Sequence, residues 1–220
     1  MQRRKMVRLE APNIYVILDI PVIRGAGREP KFVMEQAANG GAKIFQLRYK
    51  GVDDGVLYEY AVRLAELARK LGVMFIVNDR IGVALAAGAD GVHLGEDDLP
   101  ISAARKIAGE NFVIGASARS LEAAIKAERE GASYIGYGAI FPTGTKSDAV
   151  PGSIDTLLEI ARKVRIPVYA IGGINAENVG KLVSYGIRRV CVGAGIIAAG
   201  DVYEATRTIW ETINNEENLK

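Results

Sequence analysis

Eight short apolar runs, each followed by an amphipathic segment, predict a (β/α)8 barrel for this chain of 220 residues. Three observations carry that reading. Strand-like and helix-like patterns alternate from end to end, which implies parallel strands joined by crossover helices. A glycine recurs where a helix stops just before a strand, at Gly41-Ala42, Gly88-Ala89, Gly131-Ala132 and Gly186-Ile187. The length fits eight such units in one domain, residues 1–220, without a linker or low-complexity segment. An open doubly wound sheet is the competitor. It calls for a glycine-rich turn after the first strand, and Ile23-Arg24-Gly25-Ala26-Gly27-Arg28-Glu29-Pro30 does not match that pattern.

The strands are read at Ile14–Leu18, Lys43–Arg48, Val73–Asn78, Gly91–Leu94, Phe112–Ala116, Tyr134–Tyr137, Val168–Ile171 and Val190–Val192. Between them, Leu57, Tyr60, Ala61, Leu64, Leu67, Ala68 and Leu71 keep the spacing of one buried helix face. Leu121, Ala124, Ile125 and Ala127 do the same. Residues 1–12 read as an N-terminal arm, and residues 201–220 as a C-terminal helix fraying into a tail, with Trp210 packing the helix onto the barrel.

Composition narrows the function. Apolar residues make up 49% of the chain, enough for a large core. A formal net charge of +2 argues against a nucleic-acid partner. No apolar run reaches the roughly 18 residues of a membrane span, so no membrane partner is expected. The lone cysteine, Cys191, excludes an internal disulfide and suits a reducing, cytoplasmic setting. A homo-oligomer is left open.

In a barrel, sites form where the carboxyl ends of the strands meet. Polar residues cluster at those ends. Side chains alternate along a strand, so Gln46, Arg48 and Lys50 point inward while Phe45 and Leu47 face the helices. Two inward cations are explained either by internal salt bridges or, as favoured here, by an anionic ligand. The third strand ends in Asn78-Asp79-Arg80, and the fourth is followed by Glu96-Asp97-Asp98. Carboxylates beside phosphate-binding cations suit Mg²⁺, and Asp79 and Asp98 are the candidates. The competing accounts are a salt bridge from Asp79 to Arg80, and N-capping of the next helix by Asp97 or Asp98. Ser117 falls at an inward position on the fifth strand. His93 reads as a satisfied interior histidine and Cys191 as core.

The loop Phe141-Pro142-Thr143-Gly144-Thr145-Lys146-Ser147 offers two hydroxyls and an ammonium after a strand, which suits a phosphate or diphosphate. Taken alone it is equally an ordinary solvated turn. Gly172-Gly173 and Gly193-Ala194-Gly195, after the last two strands, let backbone N–H groups approach a phosphate. No nucleophile–His–carboxylate set and no zinc-ligand spacing is present.

Five motifs in order resemble those of the thiamine phosphate synthase family: Gln46-Leu47-Arg48-Tyr49-Lys50, Asn78-Asp79-Arg80, Asp90-Gly91-Val92-His93-Leu94-Gly95, Phe141-Pro142-Thr143-Gly144-Thr145-Lys146 and Ala170-Ile171-Gly172-Gly173-Ile174. The resemblance spans Tyr15 to Ala199. It implies a transferase that joins hydroxymethylpyrimidine diphosphate to a thiazole phosphate, with Mg²⁺ as cofactor. By the same resemblance, Gln46, Arg48, Lys50 and Asn78 hold the pyrimidine diphosphate, and Asp79 and Asp98 bind the metal. Thr143, Thr145, Gly173, Gly193 and Ala194 hold the thiazole phosphate. Arg48, Ser117 and Lys146 act on the diphosphate and carry the catalytic roles. The chain departs from the family pattern at Arg119, where His is common, at Glu96, where Gln is common, and at Ala194, where Ser is common. A thiazole tautomerase relative shares the barrel but resembles the chain less, because the chain keeps the Thr-x-Thr-Lys loop and has Arg119 where the tautomerase has His. An isomerase of that kind, or a non-catalytic phosphate-binding relative, is the alternative.

Overall fold

The computed structural model describes residue 9 and residues 13–142 and 151–215. Within them eight parallel strands close into a barrel, each bonded to its sequence neighbours and the last to the first. The strands are β1 (Asn13–Asp19), β2 (Ile44–Arg48), β3 (Met74–Asn78), β4 (Gly91–Leu94), β5 (Val113–Ala118), β6 (Tyr134–Tyr137), β7 (Val168–Ile171) and β8 (Arg189–Val192). The helices are α1 (Ile20–Gly25), α2 (Pro30–Asn39), α3 (Asp54–Leu71), α4 (Ile81–Ala86), α5 (Ile101–Ala108), α6 (Leu121–Arg129), α7 (Ile154–Lys163), α8 (Val179–Val183), α9 (Ala194–Ile197) and α10 (Val202–Asn214). The barrel fold read from the sequence is the fold observed. Strand β5 runs two residues further than read, so Ser117 lies within it, opposite Gly136 in register.

Two apolar layers follow from strand alternation. Outward residues such as Val16, Leu18, Phe45, Leu47, Phe75 and Val92 pack against the buried faces of the helices. Inward residues fill the barrel: Tyr15, Ile44, Met74, Ile76, Tyr134, Tyr169 and Cys191. Tyr15, Tyr134 and Tyr169 meet edge to face, with ring centroids 5.6–5.7 Å apart. Cys191 therefore belongs to the barrel interior rather than to the layer under the helices.

The repeated glycine signal has the expected physical basis. Gly41, Gly88, Gly131 and Gly186 all have positive φ. The residue after each donates its N–H back to the carbonyl five residues earlier, for example Ala42 to Ala37 at 3.0 Å and Ala132 to Ala127 at 3.0 Å. At Gly41 space adds to conformation: a Cβ there would lie 2.4 Å from Trp210 Cδ1. Trp210 thus packs α10 against the end of α2, as its position suggested. No described helix is long and apolar enough to cross a membrane.

Candidate active site at the barrel mouth

The carboxyl ends of the strands surround a cavity of about 540 Å³. Arg48 and Lys50 from β2, Asp98 after β4, Ser117 from β5, Gly173 after β7 and Gly193-Ala194 after β8 all line it. These predicted residues, drawn from separate stretches of sequence, share one space. Asp79 joins them from the end of β3. Its Oδ2 lies 3.2 Å from Lys50 Nζ, and its carboxylate is within hydrogen-bonding reach of Asp98. Asn78 is half-buried beside His93 in register.

Gln46 sits lower than the sequence reading placed it. It is 3% exposed, and its Nε2 donates to the Tyr15 hydroxyl at 2.6 Å, beneath the rim rather than on it. Thr143, Thr145 and Lys146 lie outside the described residues. The flanks of that loop are fixed beside the mouth. Ile140 and Phe141 donate to the carbonyls of Ile171 and Gly172, and Gly152 donates to Ala139. Gly173 has φ +63°, and a Cβ there would meet the Pro142 carbonyl oxygen at 2.4 Å. The β7 turn is therefore glycine because the outgoing chain of the loop crosses directly over it.

Four pairings correct the sequence reading. Arg48 is ion-paired with Asp19, which is 2% exposed and faces it across the β1–β2 register. Asp19 also caps α1 by accepting from the Val22 amide. Lys50 is paired with Asp79, so both inward cations have internal carboxylates and do not by themselves demand an external anion. Asp79 pairs with Lys50 rather than with Arg80, which reaches Asp54 at 2.9 Å instead. Neither Asp97 nor Asp98 caps α5, whose N-cap is Pro100. Asp98 Oδ2 accepts from the Gly95 amide at 2.7 Å, which holds its carboxylate in the cavity wall.

Asp79 is the strained residue of the site. Among the described residues it is the non-glycine residue with positive φ, at 63°, and its N–H donates to the His93 carbonyl at 2.8 Å. Burial raises its carboxyl above the ordinary aspartate range; the neighbouring Asp98 raises it further, and Lys50 pulls it back. Two carboxylates held against each other gain when a cation arrives between them. Among the described residues no larger group of His, Cys, Asp and Glu gathers in metal-binding geometry. A two-carboxylate donor set fits Mg²⁺, which takes few protein oxygens and completes its octahedron with water and phosphate oxygens.

Two features escaped sequence reasoning. Glu96 and Arg119, both departures from the family pattern, face each other: the Arg119 N–H donates to Glu96 Oε1 at 3.0 Å and the side chains are paired at 3.7 Å. The only signal in the sequence was that both positions depart at once. The second is a buried polar chain linking Tyr15, Tyr134, His93 and Ser117. Ser117 was legible as an inward position and His93 as an interior one, but neither as a neighbour of the other, and Tyr15 and Tyr134 were read only within their strands or the apolar runs around them.

The family model described as thiamine monophosphate synthase matches residues 14–196. The thiamine-phosphate synthase of Clostridium tetani is 44% identical over 193 residues, covering 88% of this chain and 91% of the relative. That of Pyrococcus abyssi is 45% identical over 204 residues, covering 93% and 96%. The solved thiamine phosphate pyrophosphorylase of Pyrococcus furiosus superposes with a TM-score of 0.83 at 38% identity, over 94% of this chain and 97% of that one. Barrel fold and sequence agree: the chain belongs to the thiamine monophosphate synthase family and is an enzyme of the transferase class.

Proposed function

We propose that this chain transfers the hydroxymethylpyrimidine group from its diphosphate to the ring nitrogen of hydroxyethylthiazole phosphate. The bond from the pyrimidine methylene carbon to the diphosphate oxygen breaks, and a bond from that carbon to the thiazole nitrogen forms. The products are thiamine phosphate and diphosphate. The observation that carries the reading is the meeting of Arg48, Lys50, Asp98 and Ser117 on one cavity, with Asp79 against Lys50.

Arg48 and Lys50 are the donors for the departing diphosphate, where charge builds as the bond breaks. A single carboxylate partner does not saturate a five-donor guanidinium, so Arg48 can hold Asp19 and a phosphate oxygen together. Asp79 and Asp98 would hold Mg²⁺. When bound, the ion neutralises charge on the leaving group. Ser117 offers a hydroxyl from β5, and Lys146 keeps the diphosphate role its motif implies. The amides at the start of α9, around Gly193 and Ala194, suit the thiazole phosphate together with Gly173, and Thr143 and Thr145 keep the phosphate role their motif implies. With Ala194 in place of the common Ser, that position contributes only its backbone. Gln46 supports the pyrimidine end from below.

The pyrimidine stabilises positive charge at its methylene carbon, so no protein nucleophile is required. Holding both substrates in line supplies much of the remaining rate. The competing isomerase reading needs an uncommitted base. Of the three candidate bases, Asp19 is engaged by Arg48 and the Val22 amide, Asp79 by Lys50, and His93 by Tyr134 and Ser117, which supports the transferase.

The test is incubation of the purified chain with both substrates and Mg²⁺, following diphosphate and thiamine phosphate together. The two products should appear in equal amounts, only with both substrates, and should stop on chelation. Conversion of the thiazole substrate without diphosphate release would overturn the assignment.

A further inference from the structure

Inside the barrel, beneath the mouth, four hydrogen bonds run in series. Gln46 Nε2 donates to the Tyr15 hydroxyl at 2.6 Å. The Tyr15 and Tyr134 hydroxyls are 2.8 Å apart, Tyr134 Oη lies 3.0 Å from His93 Nδ1, and His93 Nε2 lies 3.0 Å from Ser117 Oγ. Three of the five residues are almost fully enclosed, with Tyr15 and Tyr134 each 1% exposed and Gln46 3%. The series ends at the cavity wall, where His93 and Ser117 both appear.

The direction of this series follows from counting hydrogens. An amide nitrogen only donates. Tyr15 therefore accepts from Gln46, and its own hydrogen goes to Tyr134. Tyr134 then donates to His93 Nδ1, which must carry a lone pair. His93 keeps its hydrogen on Nε2 and donates it to Ser117 Oγ. The Ser117 hydrogen is left to point into the cavity. Running the series backward would have Tyr15 accept from both Gln46 and Tyr134 and leave its own hydrogen without an acceptor in these contacts. Burial holds both tyrosine hydroxyls well above their ordinary acidity range, so each keeps its hydrogen to donate.

A second observation is independent of the hydrogen count. Gly115 lies in strand β5 without the positive φ that selects glycine elsewhere. A Cβ at Gly115 would fall 2.3 Å from Tyr134 Oη and 2.6 Å from His93 Nδ1. The position is glycine because the Tyr134–His93 hydrogen bond passes across it. A residue is thus given up to space for this one contact.

We infer that the one-way series Gln46–Tyr15–Tyr134–His93–Ser117 fixes His93 as the Nε2–H tautomer and turns the Ser117 hydroxyl into a hydrogen-bond donor toward the anion in the cavity. Tyr15, Tyr134 and His93 are positioning residues that act through Ser117. This also settles what the 3.0 Å contact between His93 and Ser117 does. With Nε2 protonated, His93 cannot take the serine proton, so the pair is not a nucleophile with its base. The benefit to turnover rests on the proposed diphosphate chemistry. The direction of the series does not.

His93 is the single histidine of the chain, so ¹⁵N-histidine labelling reports on it alone. The test is two-bond ¹H–¹⁵N correlation at about pH 8, where a histidine of ordinary acidity is neutral. The ligand-free wild type should show a protonated Nε2 and a bare Nδ1. A protonated Nδ1, alone or mixed with the other form, would overturn the inference. Tyr134→Phe keeps the ring and removes the donor. It should lose the single tautomer and lower kcat about 10-fold with both KM values little changed. A variant that kept the single tautomer, or lost it at full kcat, would contradict the positioning role. A wild type with the expected tautomer and no diphosphate release would uphold the series and reject the reaction instead.

Discussion

Asp98→Asn should lower turnover by about 10²–10³-fold while making the metal-free protein more stable. The two effects share one cause. Asp98 and Asp79 are held within hydrogen-bonding reach of each other, and Asp79 is already raised by burial. The substituted amide oxygen can still accept from the Gly95 N–H, so the turn that places the side chain survives. What the change removes is the second negative charge, and with it one carboxylate of the proposed Mg²⁺ seat. The pH dependence has a definite sign. A carboxyl raised in the folded state binds protons more readily there than in the unfolded chain. Metal-free stability therefore falls as pH rises from the ordinary aspartate range through the raised value. Asp98→Asn should flatten that decline and raise Tm above it by about 2–4 °C, the worth of roughly 1 kcal/mol in a chain of this length. Thermal melts in chelator across pH, beside initial rates in Mg²⁺, read both. A lower Tm in the variant would make Asp98 a structural residue of the Gly95 turn.

Arg48→Ala should be damaging twice over. It removes the proposed diphosphate donor and strands Asp19, a carboxylate only 2% exposed. Stranding a buried charge costs about 3–5 kcal/mol, so the midpoint of urea unfolding should drop sharply. The loss in kcat/KM should be about 10²-fold or more. The paired variant Asp19→Asn, Arg48→Met separates the two roles. It neutralises both partners, and an asparagine at the end of β1 can still cap α1 at the Val22 amide. Stability should return while turnover stays lost. Recovery of turnover in the paired variant would mean that Arg48 serves the fold alone.

Sequence periodicity read this barrel well because its signals are local. An apolar run bounded by Gly-Ala turns needs no partner to be recognised, and all eight runs became strands. The end of β5 was misplaced for the opposite reason. Ser117 is polar and ends an apolar run, yet the β6 register carries the strand through it. Alternation also said that Arg48 points inward, which it does. It could not say that Asp19 would meet it, because strand period fixes a face and not a neighbour. The same limit hid the exchange in which Lys50 takes Asp79 and Arg80 takes Asp54. The interior series joins residues as far apart as Tyr15 and Tyr134, 119 positions along the chain. Gly115 was its one local trace, and a glycine in a strand has too many meanings to be read alone. The roles assigned to Thr143, Thr145 and Lys146 come from the motif, since those residues lie outside the described part.

The most direct measurement is calorimetric titration of inorganic diphosphate into the wild-type chain, with Mg²⁺ and again in chelator. Rim cations and the Asp79–Asp98 pair acting as one seat predict binding that needs the metal and weakens at least about tenfold without it, a change of roughly 1.4 kcal/mol. Equal affinity in both titrations would contradict the account.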